Sequence, residues 1–127
     1  MSAGSVSGLR LILEVKGKAK LNCELKRHLS PKTVGLISRS LPLSGNTHFL
    51  GQSIVYFETT VNSGVERQRK EFKKGDIAFS PTGSSICIFV ADVITTKPMT
   101  PIGKILEDVE LLKSAKPGDV LSLYEVG

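Results

Sequence analysis

Gly75-Asp76-Ile77-Ala78-Phe79-Ser80-Pro81-Thr82-Gly83 leads through Ile86-Cys87-Ile88-Phe89-Val90 to Pro101-Ile102-Gly103-Lys104-Ile105-Leu106-Glu107-Asp108. The order reads as strand, tight turn, buried strand, loop, then a Gly-Lys step into a short helix. Ser85 to Ala91 is apolar on both faces apart from its first residue, which describes a central strand covered on both sides. Lys74-Gly75-Asp76 turns the chain into the first strand, with Asp76 a turn residue, and Pro81-Thr82-Gly83 supplies the next turn. Lys97-Pro98-Met99-Thr100-Pro101 reads as an extended loop, because two prolines so close together remove donors and fix φ.

Upstream, Leu9, Leu11, Leu13 and Val15 alternate with Arg10, Ile12, Glu14 and Lys16, the period of a strand with one buried face. Ala19, Leu21 and Cys23 repeat that pattern after Gly17, so the two runs are expected to pair as an antiparallel hairpin. Ser30-Pro31 marks a helix start, with Ser30 as N-cap, and Val34, Ile37 and Leu41 follow at helical spacing. Pro42 ends the helix, and Leu43-Ser44-Gly45-Asn46 reads as a loop. Ser53 to Val61 is rich in β-branched and aromatic residues and is a strand. Val109, Leu111 and Leu112 belong to a short amphipathic helix that starts with Glu107, Asp108 and Glu110, and Val120 to Tyr124 is a further strand.

The chain has 127 residues, 40% of them hydrophobic, enough for a single domain with one core. No apolar run approaches the roughly 20 residues of a membrane-spanning helix. Met1 to Gly8 lacks the basic and apolar regions of a signal peptide, so a cytoplasmic protein is expected. Cys23 and Cys87 sit in apolar strands without CxxC spacing and read as buried free thiols; no metal site and no cofactor are expected. The net charge is +5, and Arg67, Arg69, Lys70, Lys73 and Lys74 crowd into one loop or edge strand with little core contribution. Such a run could associate weakly with nucleic acid by neutralising phosphates, but charge of this kind more commonly serves solubility.

Ser30-Pro31-Lys32-Thr33-Val34, the Gly75-Asp76 turn, and Ile102-Gly103-Lys104-Ile105 through Leu111-Leu112 stand in the order found in cyclophilins. From about Leu9 onward the chain resembles the cyclophilin-like family of small, largely uncharacterised prokaryotic proteins. The resemblance implies a mainly β fold, a closed antiparallel cyclophilin-like β-barrel with two short helices, over residues 9–127 after a flexible N-terminus at 1–8. Closure would remove adhesive edges. True cyclophilins place a catalytic Arg, followed by Phe and Gln, on the strands after the first helix. Ser53 to Val61 holds no Arg and no Gln here, and Leu50-Gly51 stands where the small family tends to carry Trp-Gly.

Tyr56 and Glu58 share one strand face and could orient a peptide or small polar ligand, against the plainer reading of a surface Tyr beside a solvated Glu. Phe79, Phe89 and Met99 could line an apolar groove, against the plainer reading that they are core. The expected ligand-binding set is therefore Tyr56, Glu58, Phe79, Phe89 and Met99, with no catalytic residue. The function expected is a non-catalytic binding module for a peptide segment or small ligand. The alternatives are a weak peptidyl-prolyl isomerase and weak nucleic-acid association through residues 67–74. A homodimer is left open.

Overall fold

The fold is that of a computed structural model, which describes residues 8–126. The terminus expected to be flexible therefore lies, apart from Gly8, outside the described residues. The hairpin forms as the alternation requires: β1 (Gly8–Val15) and β2 (Ala19–Lys26) pair in full antiparallel register, with Leu11 opposite Cys23 and Leu13 opposite Leu21. Gly17 takes the turn at φ +76°, where a side chain would be strained. Helix α1 (Pro31–Ser40) follows and buries Val34 and Ile37.

Ser30 does occupy the N-cap position, but its hydroxyl makes no cap hydrogen bond. It donates instead toward the Pro101 and Leu29 carbonyls, each at 2.7 Å. The α1 amides of Lys32 and Thr33 are satisfied from elsewhere, by the Glu66 carboxylate at 3.1 and 2.8 Å.

Next come β3 (Leu43–Asn46), β4 (His48–Leu50), β5 (Ile54–Glu58), β6 (Arg69–Phe72), β7 (Asp76–Ser80), β8 (Ser85–Phe89), β9 (Val93–Ile105), a 3₁₀ helix (Val109–Ser114) and β10 (Val120–Glu125). Among the described residues all pairings are antiparallel, and the order is β3-β10-β1-β2-β9-β7-β8-β5-β4, with β6 attached to β9 alone. As expected, β8 is central and wholly buried, between β7 and β5.

The sheet is not closed into a barrel, contrary to the expectation from sequence: its ladders run from β3 to β4, and these two ends do not pair. The physical reason lies at Thr47, the one residue between them. Its amide and hydroxyl both donate to the Asp119 carbonyl, at 2.7 and 2.8 Å, and its own carbonyl accepts from Gly118 at 3.3 Å. Those bonds hold the chain to the turn before β10, and the following residues leave to pair with β5. Where β3 passes β5 the contact is close packing without a ladder; a Cβ on Gly45 would lie 2.8 Å from the Glu58 carbonyl.

Three segments read as irregular or peripheral are part of the sheet or core. Leu43 to Asn46 is a strand because β10 supplies a full ladder, with Leu43 opposite Leu123. Lys97 to Pro101 lies within β9; Pro101 stands opposite Ala78 where the register shifts, and a bulge is where a strand accommodates a missing donor. Phe72, inside the basic run, is 1% exposed and is core. The helix expected at 109–112 is a 3₁₀ turn in which Val109 and Leu112 are buried and Leu111 is exposed.

Two apolar clusters lie on opposite faces of the sheet. The larger, inner one includes Leu11, Leu13, Leu21, Leu25, Val55, Phe57, Phe79 and Ile88. Gly103 lets β9 approach β2 on that side: a Cβ there would meet the Glu24 carbonyl oxygen and Leu25 backbone at 2.1 and 2.9 Å. The smaller cluster, Ile54, Phe72, Ala78, Cys87, Phe89 and Met99, takes the alternate residues of the same strands and lies on the outer face.

Candidate functional site

The outer face of β4, β5, β8 and β7 is built from cross-strand rows. Register places His48 opposite Tyr56, Tyr56 opposite Cys87, and Cys87 opposite Ala78. A second row sets Leu50 opposite Ile54 and Ile54 opposite Phe89, and a third sets Glu58 opposite Ser85 and Ser85 opposite Ser80. One face thus grades from apolar through aromatic to polar within three rows.

Tyr56 is half-buried against the outer cluster, and its ring stacks on that of His48 with centroids 5.2 Å apart and planes 23° from parallel. Phe89 is fully buried and stacks almost parallel on Phe72, 4.4 Å away. Met99 is 7% exposed in the same cluster. The structure therefore brings together three of the five expected residues, Tyr56, Phe89 and Met99. Glu58 stands exposed at the polar end of the face, and Phe79 is fully buried in the inner core on the opposite face of the sheet.

Cys87 lies in the middle of the tyrosine row, yet its thiol is pushed up to about 12 by burial, as is that of Cys23. Both are free and buried, as the sequence suggested. Thiols held so far above neutral pH are inert. Among the described residues no group of three or more His, Cys, Asp or Glu side chains is arranged to hold a metal ion.

Sequence reasoning missed Arg69 and His48. The Arg69 guanidinium lies 4.9 Å from the Phe72 ring centroid and 3.3 Å from the Asp76 carboxylate. Asp76, which the sequence marks as a turn residue, is 6% exposed and also accepts from the Lys73 amide at 2.8 Å. A cation is thereby fixed beside the apolar cluster from β6, the strand that follows the one carrying Tyr56. Phe72 was visible as the one aromatic in the basic run, but its spacing alone gave no sign of where Arg69 would point.

The rest of that run is largely engaged within the protein. Arg67 donates to the His28 carbonyl, Lys73 lies 3.6 Å from Glu71, and Lys74 pairs with Glu110.

β4 is the last strand of the ladder path, and all three of its residues are exposed. Phe49 and Leu50 are 39% and 55% exposed. Residues 40–57 contain no Asp, Glu, Lys or Arg, so the edge lacks the charges that usually blunt one.

An open antiparallel sheet with a larger inner core, a smaller outer cluster and a helix packed against it describes a small cyclophilin-type domain. The chain belongs to the cyclophilin-like family, whose profile matches residues 9–123. It is similar to the solution structure of a hypothetical protein from Archaeoglobus fulgidus, with a TM-score of 0.80 and 25% identity over 99% of this chain and all of that one. It is also similar to McbB, solved in complex with tryptophan, with a TM-score of 0.79 and 15% identity over 92% of this chain and 45% of that one. A cyclophilin type peptidyl-prolyl cis-trans isomerase of Cryptosporidium parvum matches with a TM-score of 0.56 and 14% identity, over 91% and 96% of the two chains. No curated protein matches the chain.

Proposed function

We propose that this protein is a non-catalytic binding module that takes an extended peptide segment along the open edge of β4, beside the face carrying Tyr56. The observation that carries this reading is the exposed, uncharged edge His48-Phe49-Leu50 lying against a stacked aromatic pair. A peptide added to a sheet edge gains main-chain hydrogen bonds, and alternate side chains reach the adjoining surface. Here they would meet the His48–Tyr56 stack, with Glu58 at the polar end and Met99 and Phe89 supporting Tyr56 from beneath. Phe79, on the inner face, supports the sheet and does not touch the ligand. McbB, which shares the fold, is solved in complex with tryptophan, which is in keeping with a binding role.

The test is a titration of the labelled protein with a library of extended peptides, followed by amide NMR shifts. Shifts over residues 48–58 that vanish in Leu50→Lys are expected, since a charge at the edge opposes strand addition. Shifts confined to residues 67–74 would sink the reading in favour of nucleic-acid-like charge contacts.

A second reading, a weak prolyl isomerase, gains support from Arg69. The strand Ser53 to Val61 offers no cation, but Arg69 supplies one at the apolar face. Acceleration of a protease-coupled proline peptide assay that disappears in Arg69→Ala is its expected signature. No rate above background removes it.

A further inference from the structure

A separate part of the sheet carries a feature that the peptide reading does not use. β10 lies between β1 and β3, and the outward side chains of these strands form a groove of about 590 Å³. The groove is shallow and open to solvent, so a small molecule lying in it keeps one side exposed. One polar row crosses its floor: Glu14 stands opposite Ser122, and Ser122 opposite Ser44. Tyr124, two residues from Ser122 and on the same face, donates its hydroxyl to Glu14 Oε1 at 2.6 Å and so fixes the carboxylate at the groove. That bond also raises the tyrosine above its ordinary range.

Lys16 lines the same groove, two residues beyond Glu14 in the turn that follows β1. Among the described residues neither Glu14 nor Lys16 takes part in an ion pair. Lys20 stands across the β1–β2 ladder from Glu14, but outside the groove lining. The floor therefore presents a fixed carboxylate and an ammonium of opposite sign, two serine hydroxyls near them, and an apolar wall from Pro42 and Val120.

Each charge selects against a ligand of its own sign. A simple anion is opposed by Glu14, and a simple cation by Lys16. A molecule carrying both charges and an apolar body satisfies all three parts of the surface. We propose that this groove binds a small zwitterionic amino acid with an apolar or aromatic side chain. Its ammonium meets Glu14, its carboxylate meets Lys16 and the serine hydroxyls, and its side chain lies on Pro42 and Val120. Charge-assisted hydrogen bonds at both ends supply the selectivity.

The probes are L-phenylalanine and L-tryptophan, compared with N-acetyl-L-phenylalanine, which lacks the ammonium, and L-phenylalaninamide, which lacks the carboxylate. Calorimetry and amide NMR shifts are the readouts. At least one free amino acid is expected to shift resonances at residues 14–16, 42–44 and 120–124, and both derivatives to bind at least about tenfold more weakly. Glu14→Gln and Lys16→Met, each checked for an unchanged fold by its NMR spectrum, should each weaken binding by a similar factor. Leu50→Lys should leave it unchanged, which separates this site from the β4 edge. No shift at about 10 mM of either free amino acid, a concentration that would reveal even millimolar affinity, overturns the proposal. So do derivatives that bind as tightly as the free amino acids, or shifts centred on residues 48–58.

Discussion

Glu66, in the segment before β6, caps a helix that ends 26 residues earlier: its Oε1 accepts from the Thr33 amide at 2.8 Å and from the Thr33 hydroxyl at 2.9 Å. Burial raises this carboxyl, but the Thr33 and Lys32 amides, the Thr33 hydroxyl and the Arg67 charge outweigh it and hold the group below its ordinary 4.5. Glu66→Gln should lower the unfolding free energy by about 1 kcal/mol at pH 7, the range of a lost cap. The folded value is the lower one, so the stabilisation is full above pH 4.5 and is lost as pH falls through the folded value. Denaturant titrations of wild type and variant should therefore converge in acid; a constant gap down to pH 2.5 contradicts the carboxylate's role.

Gly103→Ala and Gly17→Ala separate two reasons for glycine. At Gly103 a Cβ would strike the Glu24 carbonyl at 2.1 Å, which only backbone movement can relieve. A loss of about 3 kcal/mol or more, or failure to fold, is expected. At Gly17 nothing lies within 4 Å and only the left-handed φ opposes a side chain, so about 1 kcal/mol is expected. Equal losses in guanidinium unfolding would show that the β2–β9 approach is not the constraint.

Phe72→Ala should cost about 3–5 kcal/mol, as for a buried aromatic in a core. Phe72 covers Phe89 and carries Arg69 over its other contacts, so the variant should also expose the outer cluster. Urea unfolding measures the first effect and binding of a hydrophobic dye the second. A loss below about 1 kcal/mol would make β6 a surface ribbon without a core role.

Cys23 and Cys87 should resist a thiol reagent in the folded protein and react at once in denaturant, because burial pushes both up to about 12. Native-state labelling at either position faster than global unfolding would contradict that burial.

Glu110 is held down to about 2, first by the hydrogen bond from Lys113 and then by that from Lys74. An NMR titration of its carboxyl should reach its midpoint far below that of an ordinary glutamate. Replacing both lysines by Met should restore the ordinary range. A midpoint insensitive to that change would show the pairs to be absent in solution.

Much of this fold was legible because several segments advertise their period. Leu11, Leu13, Leu21 and Cys23 alternate, and all are buried where the alternation puts them. Pro31 and the Leu41-Pro42 step bounded α1 within a residue. Elsewhere local chemistry pointed the wrong way. Leu43-Ser44-Gly45-Asn46 has poor strand formers and becomes a strand only through its ladder to β10, about 75 residues on. Pro98 and Pro101 suggested a loop, but β9 absorbs Pro101 at a bulge.

The site was half legible for the same reason. Tyr56 could be placed on an outer face by counting along one strand, and Phe89 and Met99 joined it. Phe79 did not, because odd and even positions of β7 go to different cores. His48 was missed because no strand was read at residues 48–50, although its partner Tyr56 is only eight residues on; Arg69 required knowing that β6 pairs with β9, and pairing between segments about 30 residues apart leaves no periodic trace.

The place of β10 between β1 and β3 governs the order in which the molecule can be completed. Among the described residues β3 has no other ladder partner, and β1 has only its hairpin with β2 until β10 arrives. During synthesis the nascent chain must therefore hold two unsatisfied strand edges while everything up to Asp119 is made. β10 acts as a keystone: its pairings join residues more than 70 positions apart, and non-local pairing of this kind favours slow folding.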